Sequence, residues 1–325
     1  MHARGHGRRV QRMSEPTLIS GADVGASILD LTGRTALLRL RRFTDATPGV
    51  EIYAKAEFQN PAGSVKDRAA VAIIREAERS GRLRPGQTIL DATSGNTGIA
   101  YAMIAAARGY RVSLCVPASV TPERLRTLRV YGADVVLTSA MDGSDGAIRE
   151  ARRLYSEDPA RYFYADQYNN EANWRAHYDS TGVEILEQTE GRLTHFLAGL
   201  GTSGTFMGVG RRLREHSAAI RLVAVQPESA LHGIEGLKFM ETAIQPGIYD
   251  PGLADEHIRV GTEQAYAFTR RLAADEGLLV GVSSGAALAA SLALAARIRE
   301  GLIVTIFPDS GSRYLTESFW DREDA

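Results

Sequence analysis

The chain has 325 residues, of which 44% are apolar and 24% are charged, and its formal net charge is −1. This length and composition are typical of a globular protein of about two domains, and the near-zero charge argues against nucleic acid or an anionic membrane as partner. The single cysteine, Cys115, excludes an intrachain disulfide and a cysteine-based zinc cluster, and it fits a reducing, cytoplasmic setting.

The N-terminal stretch MHARGHGRRVQRM is basic, but no apolar segment follows it, so it does not resemble a secretory signal. We expect residues 1–27 to form a tail outside the folded domains. The run GAALAASLALAARI at 285–298 is too short to span a membrane and predicts a buried helix.

Short apolar runs alternate with helical patterns along the first half of the chain. The predicted strands are 51–58, 87–93, 110–117 and 133–139. The predicted helices are 67–81, 98–109, 121–132 and 144–158. Cys115 falls in the third strand, so we expect it to be buried.

The second half repeats this alternation. The predicted strands are 194–201, 220–227 and 302–309, and the predicted helices are 205–216, 261–277 and 285–298. Such a pattern predicts an α/β fold of parallel sheets flanked by helices, with a break between two domains near 162–174. Because ligands bind at the carboxyl ends of strands in such folds, the loops that follow strands are the candidate site.

Three glycine-rich loops follow predicted strands. TSGNTG at 93–98 offers hydroxyls and free N–H groups to a carboxylate or phosphate, although a plain capping turn explains it equally well. GLGTSGT at 199–205 satisfies G-x-G-x-x-G, but the next strand has Gln226 where a nicotinamide site needs an acid, so a phosphate site is better supported. GVSSG at 281–285 matches a hydrolase nucleophile elbow at Ser283, yet no histidine follows it to act as base.

One lysine, Lys66, stands in NPAGSVKDRAA at 60–70, between a polar loop and an apolar helix. Taken alone, it is most simply a solvated side chain. A phosphate cradle, a carboxylate site and a positioned lysine together suit pyridoxal phosphate (PLP), because its aldehyde reacts with an amine.

Five motifs occur in the order and spacing of the cysteine synthase (O-acetylserine sulfhydrylase) family: NPAGSVKDRAA, TSGNTGIA, GLGTSGT, GVSSGAA and DSGSRYL. The chain resembles this family from residue 31 to 315, and the segment after 225 is more similar to the cysteine synthase B branch. The resemblance implies a PLP-dependent enzyme of fold type II (tryptophan synthase β-like). It also implies a smaller mobile domain at 60–165 and a larger phosphate-binding domain formed by 28–59 and 166–325.

The resemblance implies a role for each motif residue. Lys66 would hold the cofactor as an internal aldimine and then act as the catalytic base, Asn96 would bind the ring hydroxyl, and Ser283 would face the pyridine nitrogen. A serine there stabilises a pyridinium less than a carboxylate does, which favours loss of a β-substituent over transamination. The implied phosphate ligands are Gly201, Thr202, Ser203, Gly204 and Thr205. The implied substrate-binding residues are Thr93, Ser94, Gly95, Thr97 and Gln167.

The implied reaction is a β-replacement that makes L-cysteine, through an aminoacrylate, from O-acetylserine or O-phosphoserine and sulfide or another sulfur donor. His232 and Lys238 could pair with the phosphate of O-phosphoserine, or could be ordinary surface charges. The alternatives are a cystathionine β-synthase-like enzyme or a serine/threonine dehydratase, and, outside this fold, an NAD-dependent oxidoreductase. Relatives are generally homodimers, and no metal is implied.

Overall fold

The computed structural model describes residues 26–44, 48–93 and 95–321. The strands found there are β1 (Leu37–Arg39), β2 (Val50–Ala56), β3 (Thr88–Ala92), β4 (Arg111–Pro117), β5 (Asp134–Thr138), β6 (Tyr162–Tyr164), β7 (His195–Gly199), β8 (Arg221–Pro227), β9 (Glu256–Val260) and β10 (Gly301–Phe307). The helices are α1 (Lys66–Arg79), α2 (Asn96–Arg108), α3 (Pro122–Val130), α4 (Gly143–Glu157), α5 (Glu171–Ala176), α6 (Gly182–Gln188), α7 (Gly204–His216), α8 (Thr262–Glu276) and α9 (Val282–Ala295).

Two separate sheets organise these elements. The smaller has the strand order β5-β4-β3-β6 and is parallel throughout. The larger has the order β1-β2-β10-β7-β8-β9, and only β1 runs antiparallel to its neighbour. Neighbouring parallel strands must be joined by crossover connections, and the helices form these connections. The predicted α/β fold with two mostly parallel sheets is confirmed.

The central strands of the smaller sheet, β3 and β4, are buried on both faces. Every residue of β3 is buried, and in β4 only Arg111 is exposed, as expected for parallel strands covered by helices. Cys115 is fully buried in β4, as predicted. The alanine-rich helix α9 packs against α8 and the large sheet, and it ends at Ala295 rather than at 298.

Several short elements were not predicted from the sequence. Three-residue strands such as β1 and β6 are too short to show a period. The polar segment predicted as a domain break contains β6, which completes the smaller sheet, and then α5, which packs against α1 and α7. The predicted N-terminal tail lies almost wholly outside the described residues. No helix in the described ranges is long and apolar enough to cross a membrane.

A buried charge network joins α1 to the larger sheet. The Arg68 guanidinium lies 2.7 Å from Glu57 Oε2 and 2.6 Å from Glu184 Oε1, and Lys55 Nζ lies 2.6 Å from Glu184 Oε2. Each of these charges has a partner of opposite sign, which offsets the cost of burying it. Because Arg68 is in the first turn of α1, the network fixes the helix start that carries Lys66.

Candidate active site

A cleft with about 580 Å³ of empty space lies between the two sheets, at the carboxyl ends of β3 and β7. It continues into a second hollow beneath the start of α7, which also reaches Pro308 after β10. The predicted site residues that line the two hollows are Lys66, Thr93, Gly95, Asn96, Thr97, Gln167, Gly201, Thr202, Ser203, Thr205 and Ser283.

Gly204, which begins α7 between Ser203 and Thr205, does not line the cleft. Ser94 lies outside the described residues.

Lys66 differs from the other two lysines of the chain. Lys55 is paired with Glu184, and Lys238 is paired with Asp145. Among the described residues, no hydrogen-bond or salt-bridge partner is found for Lys66 Nζ, which faces the cleft. Burial lowers the pKa of the Lys66 amine below its usual value, and the negative charges of Asp309 and Asp67 partly oppose this shift. Lys66 is therefore the lysine best placed to react as an amine.

The loop after β3 is held in a donor-rich conformation. Thr93 Oγ1 accepts hydrogen bonds from the backbone N–H groups of Gly95 and Gly98, both at 3.1 Å, so its own hydroxyl proton remains available. Gln167 Nε2 donates to the Ala92 carbonyl at 2.6 Å, and Gln167 Oε1 accepts from Thr97 Oγ1 at 2.8 Å. One amide hydrogen of Gln167 is thus left for a ligand. These groups at the start of α2 suit a carboxylate.

The loop after β7 has the form of a phosphate cradle. Ser203 precedes α7 with φ +67°, and its buried hydroxyl has no partner among the described residues. A Cβ on Gly201 would lie 2.2 Å from the Gly236 carbonyl oxygen, so only glycine fits there. The free N–H groups at the start of α7 and this unpaired hydroxyl fit the phosphate of PLP. His177 Nε2 lies 3.3 Å from Thr205 Oγ1 and supports the cradle from outside.

Asn96 and Ser283 face the cleft from the starts of α2 and α9. Asn96 Nδ2 donates to Asp309 Oδ2 at 2.7 Å, and its Oδ1 accepts from Arg313. Asp309 Oδ2 also accepts from the Tyr314 hydroxyl at 2.7 Å. Ser283 is almost fully buried and lines the hollow that also contains the phosphate cradle. These contacts fix the orientation of Asn96, while its second amide hydrogen remains available.

Sequence reasoning missed several residues of this site. Asp309 and Tyr314 lie within the DSGSRYL motif, but nothing in the motif signals their contact with Asn96. Arg124 and Glu235 pair across the cleft although 111 positions separate them. No sequence period links such distant residues, so only the fold reveals the pair.

His232 and Lys238, the possible partners for the phosphate of O-phosphoserine, lie in different surroundings. Lys238 is buried and salt-bridged, not an exposed charge. His232 lines a neighbouring surface hollow rather than the cleft, and partial burial lowers the pKa of its imidazole. In the described ranges, no group of three or more His, Cys, Asp or Glu side chains could hold a metal ion.

Comparison with known proteins agrees with this geometry. Residues 28–309 match the family model described as pyridoxal-phosphate dependent enzyme. The cysteine synthase of Aquifex aeolicus (strain VF5) is 48% identical over 304 residues, covering 92% of this chain and 93% of the relative. Cysteine synthase B of Escherichia coli (strain K12) is 42% identical over 291 residues, covering 90% of this chain and 95% of the relative.

Comparison with solved structures also finds cysteine synthases. The crystal structure of cysteine synthase (OASS) from Entamoeba histolytica superposes with a TM-score of 0.88 at 35% sequence identity, covering 96% of each chain. The predicted family, fold type and cofactor are confirmed. The chain therefore belongs to the pyridoxal-phosphate dependent enzymes and, within them, to the cysteine synthase family.

Proposed function

We propose that this chain makes L-cysteine from O-acetylserine and sulfide with bound PLP. The observation that carries the proposal is the convergence of Lys66, the carboxylate-binding loop and the phosphate cradle on one cleft. When bound, PLP supplies an electrophilic aldehyde and an electron-withdrawing ring, which makes the Cα proton of an amino acid removable and its β-substituent labile.

The cofactor would be held at three points. The backbone N–H groups and hydroxyls from Gly201 to Thr205 would bind its phosphate, as the unpaired Ser203 hydroxyl and the start of α7 support. Asn96 would donate its second amide hydrogen to the ring hydroxyl. Ser283 would contact the ring nitrogen through a hydroxyl, which leaves the ring a weaker electron sink than a carboxylate partner would.

Lys66 would anchor the cofactor through its Nζ and then remove the Cα proton. A base must be unprotonated near neutral pH, and burial lowers the pKa of this amine in that direction. Its position at the start of α1, fixed by the Arg68 network, keeps the amine facing the cleft.

The substrate carboxylate would be bound at the start of α2. The Thr93 hydroxyl and the second Gln167 amide hydrogen are the supporting donors, because the Thr97 hydroxyl already donates to Gln167 Oε1 and orients that amide. We place Ser94, Gly95 and Thr97 in the same substrate-binding loop. This arrangement would orient Cα towards Lys66. Closure of the smaller domain (60–165) against the larger one (28–59 and 166–325) would then exclude water.

Two further properties belong to the proposal. The resemblance to cysteine synthases supports a homodimer, and sedimentation of the purified protein would test it. The single cysteine supports a cytoplasmic location.

The experiment is a steady-state assay of the holoenzyme with O-acetylserine and sulfide. We expect cysteine to form at a rate that depends on both substrates, and the Lys66→Ala variant to lose the activity and the visible absorbance of the cofactor. Faster turnover with homocysteine than with sulfide, or release of pyruvate without any thiol product, would instead favour the cystathionine β-synthase-like or the dehydratase alternative.

A further inference from the structure

The outer part of the cleft contains charges that the proposed reaction does not use. Among the described residues, three cationic side chains line the cleft: Lys66, Arg124 and Lys238. Lys66 is assigned to the cofactor. The other two each pair with an acid that comes from the other side of the cleft.

Arg124 projects from α3 and pairs with Glu235, which lies in the segment between β8 and β9. The Arg124 side chain is only 4% exposed and its guanidinium stacks 4.8 Å from the Tyr314 ring centre. Its buried Nε–H has no hydrogen-bond partner among the described residues. A Cβ on Gly95 would lie 3.3 Å from the guanidinium, so Arg124 lies against the predicted carboxylate-binding loop.

Lys238 is neutralised in a similar way. Its Nζ lies 2.8 Å from Asp145 Oδ1 and 3.1 Å from Ser144 Oγ, both at the start of α4. Asp145 is itself fixed, because its Oδ2 accepts the backbone N–H of Ile244 at 3.0 Å. The Lys238 ammonium, which lines the cleft, therefore already has an anionic partner in Asp145.

We propose that Glu235 and Asp145 are specificity-determining residues that neutralise Arg124 and Lys238, so that the cleft favours a serine activated by an uncharged acyl group over a phosphorylated serine. The inference rests on the proposed function, because it concerns the leaving group at that same site. A phosphate carries a charge of about −1.5 to −2 at pH 7. To bind, it would have to displace Glu235 from Arg124 or lie beside the carboxylate, and like charges placed together disfavour a ligand.

The test compares kcat/KM for O-acetylserine and O-phosphoserine in the wild type and in Glu235→Gln, with sulfide fixed. Glutamine keeps the shape of the side chain and removes its charge. We expect the wild type to prefer O-acetylserine and Glu235→Gln to shift the ratio towards O-phosphoserine by about tenfold, which corresponds to about 1.4 kcal/mol. Asp145→Asn, which frees Lys238, should shift the ratio in the same direction.

A matched control is Glu241→Gln, since Glu241 lies in the same segment but pairs with the exposed Arg259. This control should keep the wild-type ratio. Because Glu235→Gln leaves the buried Arg124 guanidinium without its anionic partner, a melting curve of each variant is recorded to check that it folds.

Isothermal titration of each holoenzyme with inorganic phosphate gives a readout that does not depend on turnover. Glu235→Gln should bind phosphate about tenfold more tightly than the wild type, and adding Arg124→Gln should abolish the gain. A wild type that prefers O-phosphoserine, or a Glu235→Gln variant with unchanged ratio and phosphate affinity, would overturn the inference. Absence of turnover with either serine would refute the proposed function instead, while the phosphate titration would still decide the role of Glu235.

Discussion

The substitution Gly204→Ala tests how the phosphate cradle (Gly201 to Thr205) is held against the segment that carries Gln167. The Cβ of an alanine here would lie 1.9 Å from Asn173 Oδ1. Asn173 is held in place, because its Nδ2 donates to the Gln167 carbonyl at 2.7 Å and to Thr202 Oγ1 at 3.2 Å. The clash therefore displaces the side chain that connects Thr202 of the phosphate cradle to the backbone of Gln167.

The size of the effect follows from these contacts. Overpacking a buried site costs about 1–3 kcal/mol, and losing two hydrogen bonds costs about 1 kcal/mol each. The higher helix propensity of alanine returns about 1 kcal/mol. We expect Gly204→Ala to lower the free energy of unfolding by about 2–4 kcal/mol and to weaken PLP binding.

Urea unfolding of the holoenzyme measures the change in the free energy of unfolding, and titration of the apoenzyme with PLP measures the change in cofactor affinity. Gly210→Ala is the matched control in the same helix, because its new Cβ would meet only the ends of the Leu253 and Leu222 side chains, at 3.1 and 3.2 Å. We expect that control to change stability by less than about 1.5 kcal/mol. If Gly204→Ala unfolded at the same urea concentration as Gly210→Ala and bound PLP as the wild type does, the Asn173 connection would not be needed for stability or cofactor binding.

Three other changes probe different parts of the site. Arg68→Met would leave Glu57 buried without its cation and should cost about 3–5 kcal/mol in urea unfolding; an unchanged midpoint would show that the network is dispensable. Burial lowers the pKa of His177 to about 3, so the unfolded state binds a proton below pH 6.5 that the folded state does not. The contribution of the neutral His177 side chain to the free energy of unfolding should therefore decline as pH falls from about 6.5 towards 3, by up to about 1.4 kcal/mol per pH unit. The variant His177→Gln should lose this part of the pH dependence. Curves of stability against pH that run parallel for the variant and the wild type would contradict the prediction. Gln167→Glu places a carboxylate opposite that of the substrate, so KM for O-acetylserine should rise at least about tenfold while the cofactor absorbance stays unchanged; an unaltered KM would place the substrate elsewhere.

The sequence predicted the parts of the fold that local patterns encode. β3 and β4 are short, mainly apolar runs, and Gly81 and Gly109 follow the ends of helices, so element types and approximate limits could be predicted. The loops after strands and their glycine motifs located the cleft and its predicted residues.

The contacts that depend on distant residues could not be predicted in this way. Lys55, near the end of β2, and Glu57, just after it, alternate with apolar residues as surface charges do. Both are nevertheless fully buried, because Arg68 and Glu184 approach from two helices. Lys238 likewise resembled a surface charge until the fold placed Asp145 beside it. Pairing of charges is a property of tertiary structure, and no periodicity in the sequence reports it.

The most direct test of the account is to identify the lysine that bonds to the cofactor. The chain has only three candidates, and Lys55 and Lys238 are each held in a salt bridge. Reduction of the holoenzyme with sodium borohydride, followed by peptide mass mapping, would mark the residue permanently. We expect one pyridoxyl phosphate group per chain, on the peptide that contains Lys66. A label on Lys55 or Lys238, or a protein that carries no label after reconstitution with PLP, would contradict it.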